Sequence, residues 1–226
     1  MTRVTLMQAI DIVNEHDLFG RRIPADVRSD YVSAITGSFS WRRRTFVPAE
    51  GEVGDVLETF TGERVRGAPR GNIVRYEALR ALTVLRPADP LAKDTLRTAG
   101  DLALSGVYGS KLFTRVSRKP GIWCCPTCTS AFWRFMTATD WYPHEIETLE
   151  NEALETLRNY RRANGTWRGF PFYYAVLSLI DFRGPLAKTE LRHAAARLEA
   201  VAKRGDDGGR FAARRVRIAE KVLAGL

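Results

Sequence analysis

The sequence predicts an all-α protein of stacked helical hairpins that form an incomplete α/α toroid or solenoid. Three observations carry that expectation. Apolar residues recur at steps of three and four in nearly every segment long enough to judge. Glycine or proline closes most of those segments. A glycine-led turn also returns at a near-constant step, in Gly71-Asn-Ile73, Gly121-Ile-Trp123, Gly165-Thr-Trp167 and Gly208-Gly-Arg210. The turn glycines stand 50, 44 and 43 positions apart. Between them lies one amphipathic helix and one helix apolar nearly all round. Such a pair cannot bury its apolar face alone and must stack on its neighbours, one-sided helices outside and apolar helices inside. The expected organisation is one α/α-repeat domain over 1–226, with less regular N-terminal helices over 1–70 and the repeat region over 71–226.

The elements follow in order. Thr5 and Gln8 have capping-box spacing, Leu6, Ile10 and Val13 share a face, and the helix ends near Gly20. Pro24 opens a second helix that stops at Gly37. From Ser38 to Arg70 the pattern is least legible. Val53, Val56, Leu57 and Phe60 suggest a short helix, and 62–71 reads as a loop rich in glycine and arginine. No strand pattern stands out.

Ile73 to Arg86 is strongly helical. Asp89-Pro90 starts the next helix, with an acceptor at the cap and a proline where no amide partner is needed. Leu104 to Arg118 reads as a long loop or a broken helix, and Pro126 to Met136 as a helix. Pro143 opens the clearest amphipathic stripe, Ile146, Leu149, Ala153, Leu157 and Tyr160. Its early glutamates and late arginines each oppose the charge of the helix dipole at their own end. Asn164-Gly165 ends it. A buried helix over Phe172 to Phe182 and two one-sided helices complete the chain.

Composition narrows the function classes. The chain has 45% apolar and 27% charged residues, a balance that builds a core and argues against disorder. Its net charge is +9, carried mostly by arginines spread along the whole length. That excess would suit nucleic acid or another anionic partner, and equally a solvated arginine-rich surface. The longest apolar run is too short to span a bilayer. A clustered, odd set of three cysteines is no secreted disulfide framework, and no signal-type block opens the chain, so a soluble, cytoplasmic protein is expected.

The Gly-x-Trp turns at Gly121-Ile-Trp123 and Asn164-Gly-Thr-Trp167 resemble the repeat of the prenyltransferase and squalene-cyclase α/α toroids, and Asp207-Gly-Gly-Arg210 resembles a degenerate copy. The resemblance covers about residues 71 to 226. It implies an aromatic-lined central face suited to an isoprenoid-like or other apolar ligand. The families' catalytic motifs have no counterpart here. The cyclase Asp-x-Asp-Asp is missing, and Ile122 and Trp123 stand where a prenyltransferase places the aspartate two residues before its zinc cysteine. The resemblance therefore implies architecture and leaves any reaction open.

Two groups could carry chemistry. Cys124, Cys125 and Cys128 lie within five positions, Cys125 and Cys128 with the two-residue gap of a zinc knuckle, and His144 is in reach as a fourth ligand. Zinc, a reactive thiol lowered by a helix N-terminus, and plain packing all fit that pattern. The aromatic group Trp123, Trp167, Phe170, Phe172, Tyr173 and Tyr174 could line a concave ligand site, or fill a core. A protein partner along the concave face, a second copy of the chain, and nucleic acid at Trp41-Arg42-Arg43-Arg44 are the alternatives to a small apolar ligand.

Overall fold

The computed structural model describes residues 4–108, 121–140 and 143–226. Among them the chain is mostly helical, with α1 (Leu6–Phe19), α2 (Ala25–Gly37), α3 (Pro69–Leu85), α4 (Pro90–Tyr108), α5 (Pro126–Ala138), α6 (Pro143–Asn159), α7 (Phe172–Asp181), α8 (Leu186–Arg204) and α9 (Ala212–Leu223). Two predicted helix starts and one end are capped as expected, but α6 ends at Asn159 and Asn164-Gly165 belongs to the turn beyond it. Thr5 and Gln8 form the capping box of α1, Gly20 ends it with a left-handed backbone, and Asp89 Oδ2 accepts from the Ala92 amide at 2.8 Å.

Two expectations for the N-terminal third are corrected. The segment around Val53 to Phe60 is not a helix: Val56–Glu58 pairs antiparallel with Arg64–Arg66, inside the stretch read as loop. A second hairpin pairs Phe39–Ser40 with Thr45–Phe46. In order these strands are β1 (Phe39–Ser40), β2 (Thr45–Phe46), β3 (Val56–Glu58) and β4 (Arg64–Arg66). Strands of two or three residues are too short to show an alternating period, which is why the sequence hides them. The third correction concerns Gly71. It lies inside α3, which starts at Pro69, so it is not a turn glycine. Of the region 104–118, α4 takes the residues to Tyr108, and the remainder lies outside the described residues.

Each odd-numbered helix touches the next: α1 packs on α3, α3 on α5, α5 on α7, α7 on α9, and α9 returns to α1. The even-numbered helices pack against these and against one another, α2 on α4 and α6 on α8. Burial is deepest in α3, α5 and α7. In α5, ten consecutive residues from Cys128 to Thr137 are buried, whereas α2 buries only Ile35. Apolar side chains from every helix join one continuous core.

Two of the predicted turns have matching surroundings. Gly121 and Gly165 both have left-handed backbones, at φ 72° and 76°. A Cβ on Gly121 would overlap the Thr156 side chain of α6, and one on Gly165 would stand 3.0 Å from the His193 carbonyl and 3.7 Å from Ala194 Cα of α8. Two residues on, Trp123 lines a cavity of about 10 Å³ with Glu152 of α6, and Trp167 donates its Nε1–H to Glu190 of α8 at 3.0 Å. Each Gly-x-Trp turn thus meets the even-numbered helix that follows the odd-numbered helix it leads into, the tryptophan one turn before the glycine. Glu190 is buried and also takes Arg161, at 2.8 and 3.1 Å.

Where the odd-numbered helices meet, the core is charged. Asn14, Glu77 and Arg134 are each the ninth residue of α1, α3 and α5, and each is at most 5% exposed. Arg134 reaches Glu77 Oε1 at 2.6 Å and Asn14 Oδ1 at 3.1 Å. Arg80 reaches Asn14 Oδ1 and Asp17, each at 2.7 Å, and Asp181 at 3.2 Å. Tyr174 of α7 donates its hydroxyl to Glu77. Burial, with Glu77 beside it, holds that phenol proton well above its usual range, so Tyr174 stays a donor. Burial raises the Asp17 carboxyl too, but the Arg80 charge and hydrogen bond outweigh it and hold that carboxyl below the ordinary range. Isolated buried ions are too costly to persist, so four helices must bring their partners to one level together.

Candidate metal centre

The three cysteines gather at the N-terminus of α5. Cys125 caps the helix in an extended conformation, and its Sγ accepts from the Cys128 amide at 3.3 Å. Pro126 takes the first helical position, where no amide partner is needed. The buried Thr129 hydroxyl pins the approach. It accepts from the Trp123 amide at 2.9 Å and lies 2.8 Å from the Trp123 carbonyl. The α3 N-terminus supplies the far wall, with Pro69 O 3.6 Å from Cys128 Sγ.

Cys124 is the unusual residue. Its φ is 57°, a left-handed backbone that side chains other than glycine, asparagine and aspartate rarely adopt. Consecutive residues in extended backbone direct their side chains to opposite faces, and this conformation turns Cys124 back toward its neighbours. As a result all three sulfurs lie within 4.8 Å of one another. In a tetrahedral zinc thiolate, with Zn–S near 2.3 Å, sulfurs stand about 3.8 Å apart. Closing the difference takes shifts of about 1 Å. Cys124 and Cys125 are half-buried and only Cys128 is fully buried.

Their electrostatics differ. The hydrogen bond from the Cys128 thiol holds Cys125 down at about 6, against the cost of burial and with help from the amides of Cys128 and Thr127. The same contact and burial push Cys128 up, and burial pushes Cys124 up. Cys125 is thus the sulfur held toward its thiolate form, beside two sulfurs held toward the thiol form. Because the folded pKa of Cys125 is depressed, its alkylation in the metal-free protein should rise through about pH 6 and not pH 9. A pH series with iodoacetamide, in which the Cys125 adduct is followed by mass spectrometry, measures this; a midpoint at or above 8 would contradict it.

The side chain of His144 lies outside the described residues. The aromatic residues occupy several surroundings. Trp167 is buried and stacks on Phe172 at 6.2 Å, which meets Tyr173 edge-on at 5.2 Å. Phe170 stacks on Trp133 at 5.6 Å. Tyr174 faces the charged cluster, and Trp123 lines its own small cavity beside α6. The charged cluster itself was missed in the sequence. Its signal was there: Arg134 is the one charge in Phe132-Trp133-Arg134-Phe135-Met136.

No family model, curated protein or solved structure matches this chain. Among the described residues no helix is long and apolar enough to cross a membrane.

Proposed function

We propose that the protein is a metal-binding helical-repeat protein in which Cys124, Cys125 and Cys128 hold a soft divalent cation, zinc first among them. The convergence of the third sulfur carries this reading. A dithiol redox pair needs only Cys125 and Cys128, and a packing cysteine needs no strained backbone and no exposure. A left-handed Cys124 that joins a half-exposed cluster suits a cation that takes three thiolates. Three protein ligands leave a fourth position for a further side chain or a water, the arrangement of zinc sites that act on a bound molecule.

The architecture proposed with it is an α/α ring in the manner of the toroid families, with α1, α3, α5, α7 and α9 as inner helices. The contact of α9 with α1 supports a closed ring over an open arc. The sulfur centre would then stand where the N-termini of two neighbouring inner helices, α3 and α5, come together. An apolar ligand in the aromatic group has less support, because those rings pack against one another and against Glu190 and Glu77.

Elemental analysis of purified protein is expected to find one zinc per chain, lost in Cys125→Ser. Metal absent from protein purified and reloaded under reducing conditions would overturn the reading. With the Cys125 thiol held down and those of Cys124 and Cys128 held up, zinc uptake at pH 7 should release about two protons per ion, measured by calorimetry in buffers of differing ionisation heat.

A further inference from the structure

We propose that the tip of the β1–β2 hairpin is a contact surface for single-stranded nucleic acid, in which Trp41 stacks on an unpaired base and Arg42, Arg43 and Arg44 meet the adjoining phosphates. Trp41 is 50% exposed, and all four residues of the turn are exposed. The hairpin beneath is well anchored. Phe39 and Phe46 are buried against each other at 5.2 Å, Trp41 meets Phe39 edge-on at 5.1 Å, and Arg75 of α3 reaches Thr45 Oγ1 at 3.2 Å. The indole therefore rests on Phe39 with about half of its surface open to solvent.

The arginines are as telling. Arg80, Arg134, Arg161, Arg183, Arg210 and Arg214 pair with carboxylates, whereas exposed arginines such as Arg22, Arg64 and Arg204 do not among the described residues; what sets Arg42, Arg43 and Arg44 apart is that three stand in succession beside an exposed indole. The side chains of Arg42, Arg43 and Arg44 have no ion-pair, hydrogen-bond or ring partner among the described residues. Arg44 also adopts a left-handed backbone at φ 52°, where glycine or asparagine would be easier. An arginine kept at a strained turn position, with no intramolecular partner, points to a use for its side chain outside the chain.

The chemistry selects the partner. Guanidinium groups would meet any anion, but an exposed indole adds affinity only where a flat π face is offered to it. Paired bases in a duplex do not offer one, and an acidic peptide would leave the indole uncovered. Insertion into an anionic membrane would need more apolar surface than one tryptophan. Among the described residues the other exposed large apolar ones, Leu91, Leu186 and Leu226, lie on α4, on α8 and at the C-terminus.

The test uses the whole protein and a fluorescein-labelled oligothymidylate of about twelve nucleotides, followed by anisotropy in chelator so that the outcome is independent of the metal centre. Trp41→Ala should weaken binding by about ten- to a hundredfold. The slope of log affinity against log salt should be about −2 for three phosphates, should survive replacement of all three arginines by lysine, and should collapse in the triple alanine variant. Melting temperatures of the variants should stay within about 2 °C of the parent, since the replaced side chains are exposed. Any one of three results overturns the proposal: oligothymidylate affinity unchanged in both Trp41→Ala and the triple alanine variant; equal or tighter binding to a duplex of the same length; or tighter binding to a polyglutamate peptide or phosphatidylserine vesicles.

Discussion

Arg134→Ala is expected to destabilise the protein by about 3–5 kcal/mol in urea unfolding, several times the effect of any exposed arginine. The reason is what the change leaves behind. Glu77 would be left in the core with hydrogen bonds from Asn14 and Tyr174 and the more distant Arg80 charge but no direct ion-pair partner, and Asn14 would lose one of its two guanidinium donors. The pair itself is not the source of so large a figure, because desolvation offsets most of its attraction. The double variant Arg134→Met, Glu77→Leu should therefore recover most of the loss. A single-variant cost under about 1 kcal/mol would mean that water reaches this level of the core. What the network does supply is register: it is complete only when the ninth residues of α1, α3 and α5 are level.

Gly121→Ala is expected to cost about 2–5 kcal/mol. A left-handed backbone costs an L-residue about 1–2 kcal/mol, and forcing a Cβ into the Thr156 side chain adds about 1–3. The two parts separate by experiment. Adding Thr156→Ala should remove the overlap and leave the backbone cost alone, so the double variant should be the more stable of the two in thermal unfolding. A double variant no better than the single one would show that the turn does not sit against α6.

The sequence carried the helices well because their signals are local. Capping at Thr5 and Asp89, proline at the starts of α4, α5 and α6, and steps of three and four on one face are all written within a few residues. The two hairpins were not legible, since their cores rest on Phe39, Phe46, Leu57 and Val65, each with a single inward residue per strand. The turn at Gly71 was misread because it shares the spacing of the others but lacks their left-handed backbone, which no spacing records. The cysteine cluster was legible as a motif and undecided as chemistry. What separates a metal centre from packing or a dithiol is the φ of Cys124, the exposure of two of the thiols and the distance among three sulfurs, and all three depend on how α5 starts against α3. The charged core was hidden for a related reason: Asn14, Glu77 and Arg134 are far apart in sequence, and only packing brings them to one level.

Cobalt substitution tests the metal centre most directly. Co(II) added to the reduced, metal-free protein should give sulfur-to-cobalt charge-transfer bands and the visible bands of a tetrahedral ion, saturating at one cobalt per chain, and Cys124→Ser should lower the charge-transfer intensity by about a third. A spectrum without charge-transfer bands, or one that Cys124→Ser leaves unchanged, would contradict a three-thiolate centre.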